Sequence, residues 1–127
     1  MIVLDASVLI AQLDAADAHH ERASTLLTET AGEPLGISPL TLAEVLVGPV
    51  RSGKLQVAES AIDDLEIIAV PFTPDAPTRL AVLRATTGLR MPDCCVLLAA
   101  ESAGAQVATF DERLAKSAAA LGLTVRG

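Results

Sequence analysis

Trp and Tyr are absent, and Phe72 and Phe110 are the only aromatic side chains besides histidine. That excludes a stacked-aromatic platform for single-stranded bases and leaves the core to Ala, Leu, Val and Ile. Basic residues are also scarce: nine Lys and Arg stand against sixteen Asp and Glu, for a formal charge of −7. A protein that holds nucleic acid by bulk electrostatics carries the opposite sign, so any affinity for RNA must have a local origin. The two cysteines, Cys94 and Cys95, are adjacent and have no spaced partners. They suggest neither a disulfide framework nor a zinc site and read as small buried hydrophobes. No apolar run approaches the length of a membrane span. The N-terminus lacks the basic flank of a signal peptide, and Asp5 interrupts its apolar stretch. The expectation is a soluble, cytoplasmic protein without contact to a membrane.

With 127 residues, a single domain over 1–127 is expected, large enough for an ordinary core. Its organising stretch is the start. Met1 to Leu4 is an apolar, β-branched run that reads as a strand buried on both faces. Asp5 ends it. A carboxylate is costly to desolvate inside such a run, so Asp5 belongs where the strand emerges, at its carboxyl end. In open α/β sheets that is the ligand-binding edge, and Ser7 stands two residues on. The competing reading makes Asp5 the N-cap of a short helix over Val8 to Leu13; this stretch alone leaves the two level.

Further on, Asp14 and Asp17 are expected to begin a helix to about Thr30, with Ala23, Leu26 and Leu27 on its apolar face. His19 and His20 lack a partner at metal-ligand spacing and read as a solvated face. Leu35 to Ser38 is a short strand candidate. Ser38-Pro39 is a strong helix start, with the helix running to Gly48-Pro49. Glu44 is the acidic residue of that apolar segment. Thr41 and Glu44 have capping-box spacing, but a start at Ser38 puts Glu44 more than a turn inside, where capping is redundant and function is favoured. Gly53 to Leu65 reads as an amphipathic helix, Ile67 to Val70 as a buried strand, and Pro74 to Gly88 as another helix.

Pro92 disfavours helix at the residue before it, so the next helix is expected at or just after Asp93. An acid at a helix N-terminus has a sufficient structural reason to be there. The helix is apolar nearly all round to Ala100 and should be buried. Ala105 to Thr109 is a strand followed at once by Asp111, which repeats the Asp5 pattern. Glu112 to Leu121 forms the last helix and Leu123 to Val125 an edge strand. Strands alternating with helices predict a parallel sheet flanked by helices.

Asp5, Glu44, Asp93 and Asp111 thus stand out by context. Gathered together they suit a hard cation such as Mg²⁺ or Mn²⁺, which can activate water for phosphoryl displacement. Asp5-x-Ser7 after the first strand, Glu44 in Leu-x-Glu-Val, Pro92-Asp93 opening an apolar helix, and Thr109-x-Asp111 after a strand together resemble the PIN domain. Chain length and the short C-terminal strand resemble the VapC-like toxins of bacterial toxin–antitoxin pairs, and the resemblance spans essentially the whole chain.

That resemblance implies a single PIN-like α/β/α sandwich with a parallel central sheet, and Mg²⁺- or Mn²⁺-dependent endoribonuclease activity. It also implies inhibition by a small VapB-like antitoxin and assembly as a homodimer. Carried over, Asp5, Glu44, Asp93 and Asp111 are the expected catalytic, metal-binding acids, with Ser7 and Thr109 as supporting hydroxyls. The apolar residues Ala23, Leu26 and Leu27, with the 42–47 segment, are expected to supply the groove for an antitoxin whose Arg enters the acids. Three alternatives remain in view. A receiver-like signalling domain needs paired acids after its first strand and a Lys after a late one, whereas Asp5 is single and Lys116 falls inside a helix. A haloacid-dehalogenase-like phosphatase needs a second Asp where Ser7 stands. A PIN scaffold that binds a partner without catalysis is opposed by the intact acids.

Overall fold

The strands that precede Asp5, Ser38 and Thr109 are short, each ending where its apolar run gives way to that polar residue. In the computed structural model, which describes Met1–Gly127, β1 spans Ile2–Leu4, all three residues buried. It is followed by α1 (Ala6–Leu13), α2 (His20–Glu29), β2 (Leu35–Ile37), α3 (Pro39–Arg51) and α4 (Leu55–Asp64). Then come β3 (Ile68–Ala69), α5 (Ala76–Thr87), α6 (Met91–Ala103), β4 (Gln106–Ala108), α7 (Glu112–Ala120) and β5 (Val125–Arg126). The strands form one sheet in the order β3-β2-β1-β4-β5, and every pairing is parallel. No helix is long and apolar enough to cross a membrane.

Strand alternation divides the core. Val3 and Val107 face one layer, packing with Leu89, Cys94, Leu97 and Leu114 from the α5–α7 side. Ile2, Leu4 and Leu35 face the other, packing with Val8, Ala23 and Leu26 from α1 and α2. Leu9, Ile37, Val45 and Ile62 extend that second layer under α3 and α4. Helices on both faces bury both sides of the parallel sheet, giving the expected α/β/α sandwich. The chain runs outward from β1 through β2 to β3, then returns to β4 on the other side of β1. The carboxyl ends of β1 and β4 therefore flank a reversal of strand order, the crevice where such sheets bind ligands.

Several boundaries differ from the expectations. Residues 14–19 form turns, and α2 starts only at His20. Asp14 and Asp17 use their carboxylates on the backbone N–H groups of Ala16 and His19, a local bond that competes with helix. His20 is not merely solvated: its Nδ1 lies 2.7 Å from the Ala11 carbonyl oxygen, tying α2 to the preceding helix. The α3 helix continues past Gly48 and contains Pro49, because Gly48 keeps a negative φ instead of the left-handed turn that Gly88 and Gly104 make after α5 and α6. The α6 helix begins at Met91, two residues before Asp93, with Pro92 inside its first turn, where a missing N–H costs no intrahelical bond. Strand β3 is exposed, Ile68 at 55%, since it is an edge strand with one neighbour.

Candidate metal centre

Asp5 occupies the N-cap position of α1 with extended backbone, φ −77° and ψ 156°, yet its side chain caps nothing. The carboxylate turns toward the exit of β4 instead. Its Oδ2 accepts from Ser7 Oγ at 2.7 Å and from Thr109 Oγ1 at 2.8 Å. Each hydroxyl is held in turn by backbone: Phe110 N–H donates to Ser7 Oγ at 3.1 Å and Asp111 N–H to Thr109 Oγ1 at 3.0 Å. A buried carboxylate, 7% exposed, is thus fixed in orientation through one of its oxygens. The other, Oδ1, has no partner within the chain and is not sealed from solvent. Asp5 thus has the place of a cap without the bond.

Around it stand the other three acids. Asp111 caps α7, its Oδ1 accepting from Leu114 N–H at 2.9 Å. Asp93 lies in the first turn of α6 and Glu44 more than a turn inside α3. Partial burial raises the carboxyl pKa of Glu44 above its ordinary value, and the charges of Asp5 and Asp93 raise it further, against the pull of Arg90. Burial likewise raises Asp93, reinforced by Asp5 and Asp111 and opposed by Arg90 and Arg113. The four acids therefore lie within one another's fields. They are not drawn into a tight ligand set: no three His, Cys, Asp or Glu side chains are grouped so as to hold one ion as they stand.

The chemistry of the donors fits a hard cation nonetheless. All are oxygens, and mutual repulsion makes a positive charge among them favourable. Two further oxygens point the same way. Ser38 Oγ and Thr41 Oγ1, 0% and 1% exposed as residues, are the buried side-chain atoms left without a hydrogen-bond partner. Such an orphan costs roughly 1–3 kcal/mol, and both occur on the segment that carries Glu44. The neighbouring thiols do not join in. Burial pushes the pKa of Cys94 and of Cys95 up, away from the thiolate that a nucleophile needs.

The PIN domain sequence profile matches residues 2–120. The chain belongs to the PIN domain family. Solved PIN structures share its fold across nearly the whole chain. A toxin–antitoxin complex from Klebsiella pneumoniae superimposes with a TM-score of 0.79 at 23% identity, covering 100% of this chain and 97% of that one. VapC20 of Mycobacterium tuberculosis, described as a sarcin–ricin loop cleaving toxin, gives 0.72 at 19% identity, covering 92% and 95%. The FitAcB structure from Neisseria gonorrhoeae gives 0.72 at 22%, covering 100% and 97%. No curated protein sequence matches the chain. Membership also removes the receiver and phosphatase alternatives.

Within this PIN domain the sequence-derived site residues divide in two. Asp5, Ser7 and Thr109 are joined by direct hydrogen bonds, whereas Glu44 and Asp93 feel the Asp5 charge, and Asp93 that of Asp111, without a hydrogen bond. The expected groove is corrected in its α2 half, while Glu44 and Val45 of the 42–47 segment do line a cleft. Ala23 and Leu26 lie in the core, because α2 turns its apolar stripe onto the sheet. An open cleft of about 450 Å³ runs instead between α1, α3 and α4, lined by Ile10, Leu13, Val45 and Val57, with Glu44 among its walls. Ser38 was legible only as a helix cap. Its signal, a polar residue ending a buried strand as Asp5 does, was present but masked by the Ser-Pro start.

Proposed function

We propose that this PIN domain is an endoribonuclease toxin that requires Mg²⁺ or Mn²⁺ and is silenced by a small antitoxin. The observation that carries the reading is the fixed Asp5 carboxylate, with Ser7 and Thr109 on one oxygen, the other without a partner in the chain, and Glu44 and Asp93 within reach of its charge. When bound, such an ion activates a water and offsets the charge of an in-line displacement at a phosphodiester. Mg²⁺ typically keeps several waters of its own, so the looseness of the acid group accords with an ion reached partly through water. In this reading Asp5 offers Oδ1 as a ligand while Ser7 and Thr109 prevent its rotation. Glu44, Asp93 and Asp111 supply the remaining negative charge, and the positive charges of Arg90 and Arg113 act on Asp93. The lack of aromatic platforms puts substrate choice on such local contacts.

The cleft beside Glu44 supports the second half of the proposal. Apolar walls ending at an acid suit a segment with apolar anchors and an Arg, whose planar fork pairs with carboxylates. Fold relatives solved as toxin–antitoxin complexes add to this reading. Homodimer formation and action in the cytoplasm follow from the same family resemblance, and light scattering tests the former. The deciding experiment incubates purified protein with RNA in Mn²⁺ or Mg²⁺, with and without excess EDTA, and sequences the cut ends. Cleavage that survives EDTA sinks the metal requirement. No cleavage with either ion leaves a PIN scaffold that works by binding a partner.

A further inference from the structure

Ser38 and Thr41 are the two places where the chain buries a hydroxyl and gives it nothing to bond. Elsewhere such groups are satisfied locally: Thr28, Thr30, Thr86 and Thr87 each donate to the carbonyl four residues back. Thr41 does not, although it sits in a helix. Ser38 holds the N-cap position of α3 and accepts from no helix N–H. Orphaned buried hydroxyls in a native fold call for a partner supplied from outside the chain.

Strand register places that partner. Val3 of β1 pairs with Gly36 of β2 and with Val107 of β4. Two residues beyond each lie Asp5, Ser38 and Thr109. Asp5 and Ser38 both remain extended, at φ −77°, ψ 156° and φ −66°, ψ 140°, so side-chain alternation continues and they emerge on one face. Asp5 and Thr109 already meet there at 2.8 Å. Ser38 flanks Asp5 on the other side, at the spacing of neighbouring strands, about 4.8 Å. That is too far for an assured direct bond and suited to a bridging water. Thr41 stands three residues before Glu44 on α3, which makes them neighbours on the helix surface. One hydroxyl therefore belongs to the residue beside Asp5 and the other to the residue beside Glu44.

We propose that Ser38 and Thr41 are positioning residues of the metal centre, their hydroxyls holding water that is shared with a divalent ion between Asp5 and Glu44. The inference rests on the metal-dependent reading above and extends it to two residues outside the four acids. They touch neither substrate nor ion. They orient the ion's water as outer partners of ligands commonly do, and loss of such partners weakens metal affinity about 10- to 100-fold. Because neither hydroxyl bonds anything in the chain, removing it should not weaken the metal-free fold.

The test uses the full chain, stripped of metal, with Mn²⁺ as probe, its binding followed by electron paramagnetic resonance and stability by thermal melting. Thr41→Val keeps the shape and removes the hydroxyl, and Thr41→Ser keeps the hydroxyl. Ser38→Ala and Ser38→Thr form the same pair. Valine and alanine are expected to weaken Mn²⁺ binding about tenfold or more while the metal-free melting temperature holds or rises. Serine and threonine should retain Mn²⁺ binding. A merely structural role would move melting and leave Mn²⁺ affinity alone, and that result overturns the proposal. Wild-type affinity in Thr41→Val also overturns it while leaving metal dependence standing. If the wild-type protein binds no Mn²⁺, metal dependence fails as well.

Discussion

The exits of β1 and β4 look alike in sequence and differ in structure. Each strand ends in a buried apolar residue, Leu4 or Ala108, and each is followed by an Asp at the N-cap of a helix, Asp5 for α1 and Asp111 for α7. Asp111 does what a capping Asp does, taking the Leu114 N–H. Asp5 gives up the cap, and its Oδ2 collects two hydroxyl donors from elsewhere. The difference lies in the neighbours. Asp5 leaves the central strand with β4 beside it, so Thr109 is within reach; Asp111 is already past its strand, and its carboxylate bonds its own helix. The same residue in the same local position caps its helix at one exit and is held by two hydroxyls at the other.

Removing the charge at each exit tests the contrast most severely. Asp5→Asn keeps an oxygen to accept from Ser7 and Thr109, so the fold should hold. RNA cleavage should fall by more than about 100-fold, beyond the loss expected for a supporting residue. Gel assays with circular dichroism melts measure both, and retained cleavage would leave Asp5 without a ligand role. Thr109→Val should come next. It strips Asp5 Oδ2 and the Asp111 N–H of a partner at once, destabilising by roughly 1–3 kcal/mol and lowering cleavage about 10- to 100-fold. Denaturant titration and initial rates would show whether the two losses travel together.

At the other exit, Asp111→Ala should cost about 1 kcal/mol of stability through the lost cap, whereas Asp111→Asn keeps the cap and loses only charge. Chemical denaturation separates them. Equal stability losses would mean that the cap seen at Leu114 contributes nothing.

The smallest effect is in pH. Glu44 and Asp93 bind their protons more tightly in the folded chain than in the unfolded one. Between the ordinary carboxylate pKa and the raised value the native state carries more protons, so these groups lower stability as pH rises through that window. Melting of metal-free protein should show this contribution, and Asp5→Asn should flatten it, because the Asp5 charge helps raise both groups. An unaltered slope in Asp5→Asn would show that the Asp5 charge contributes nothing to it. Saturating Mg²⁺ should flatten the slope as well.

Which acids the fold brings near one another could be read from the chain, since a carboxylate ending or interrupting an apolar run is conspicuous whatever the fold. What each acid does could not. Asp5 and Asp111 are equivalent to any local rule, and the Asp93 start was misplaced by two residues because a Pro in the first helical turn removes no bond. The expected groove went astray for a related reason. Periodicity marks the apolar stripe of α2 and does not say whether that stripe meets the sheet or solvent.

Composition, strand–helix alternation and the apolar character of β1, β4 and α6 determined the α/β/α sandwich, because burial on both faces of a parallel sheet leaves little choice. The centre itself was decided by tertiary structure. Parallel register set Asp5 between Ser38 and Thr109, which stand 33 and 104 positions further along the chain, separations that no spacing rule links. Only pairing of β1 with both neighbours brings their side chains to one level, and only that level shows which oxygen of Asp5 is taken and which is left open.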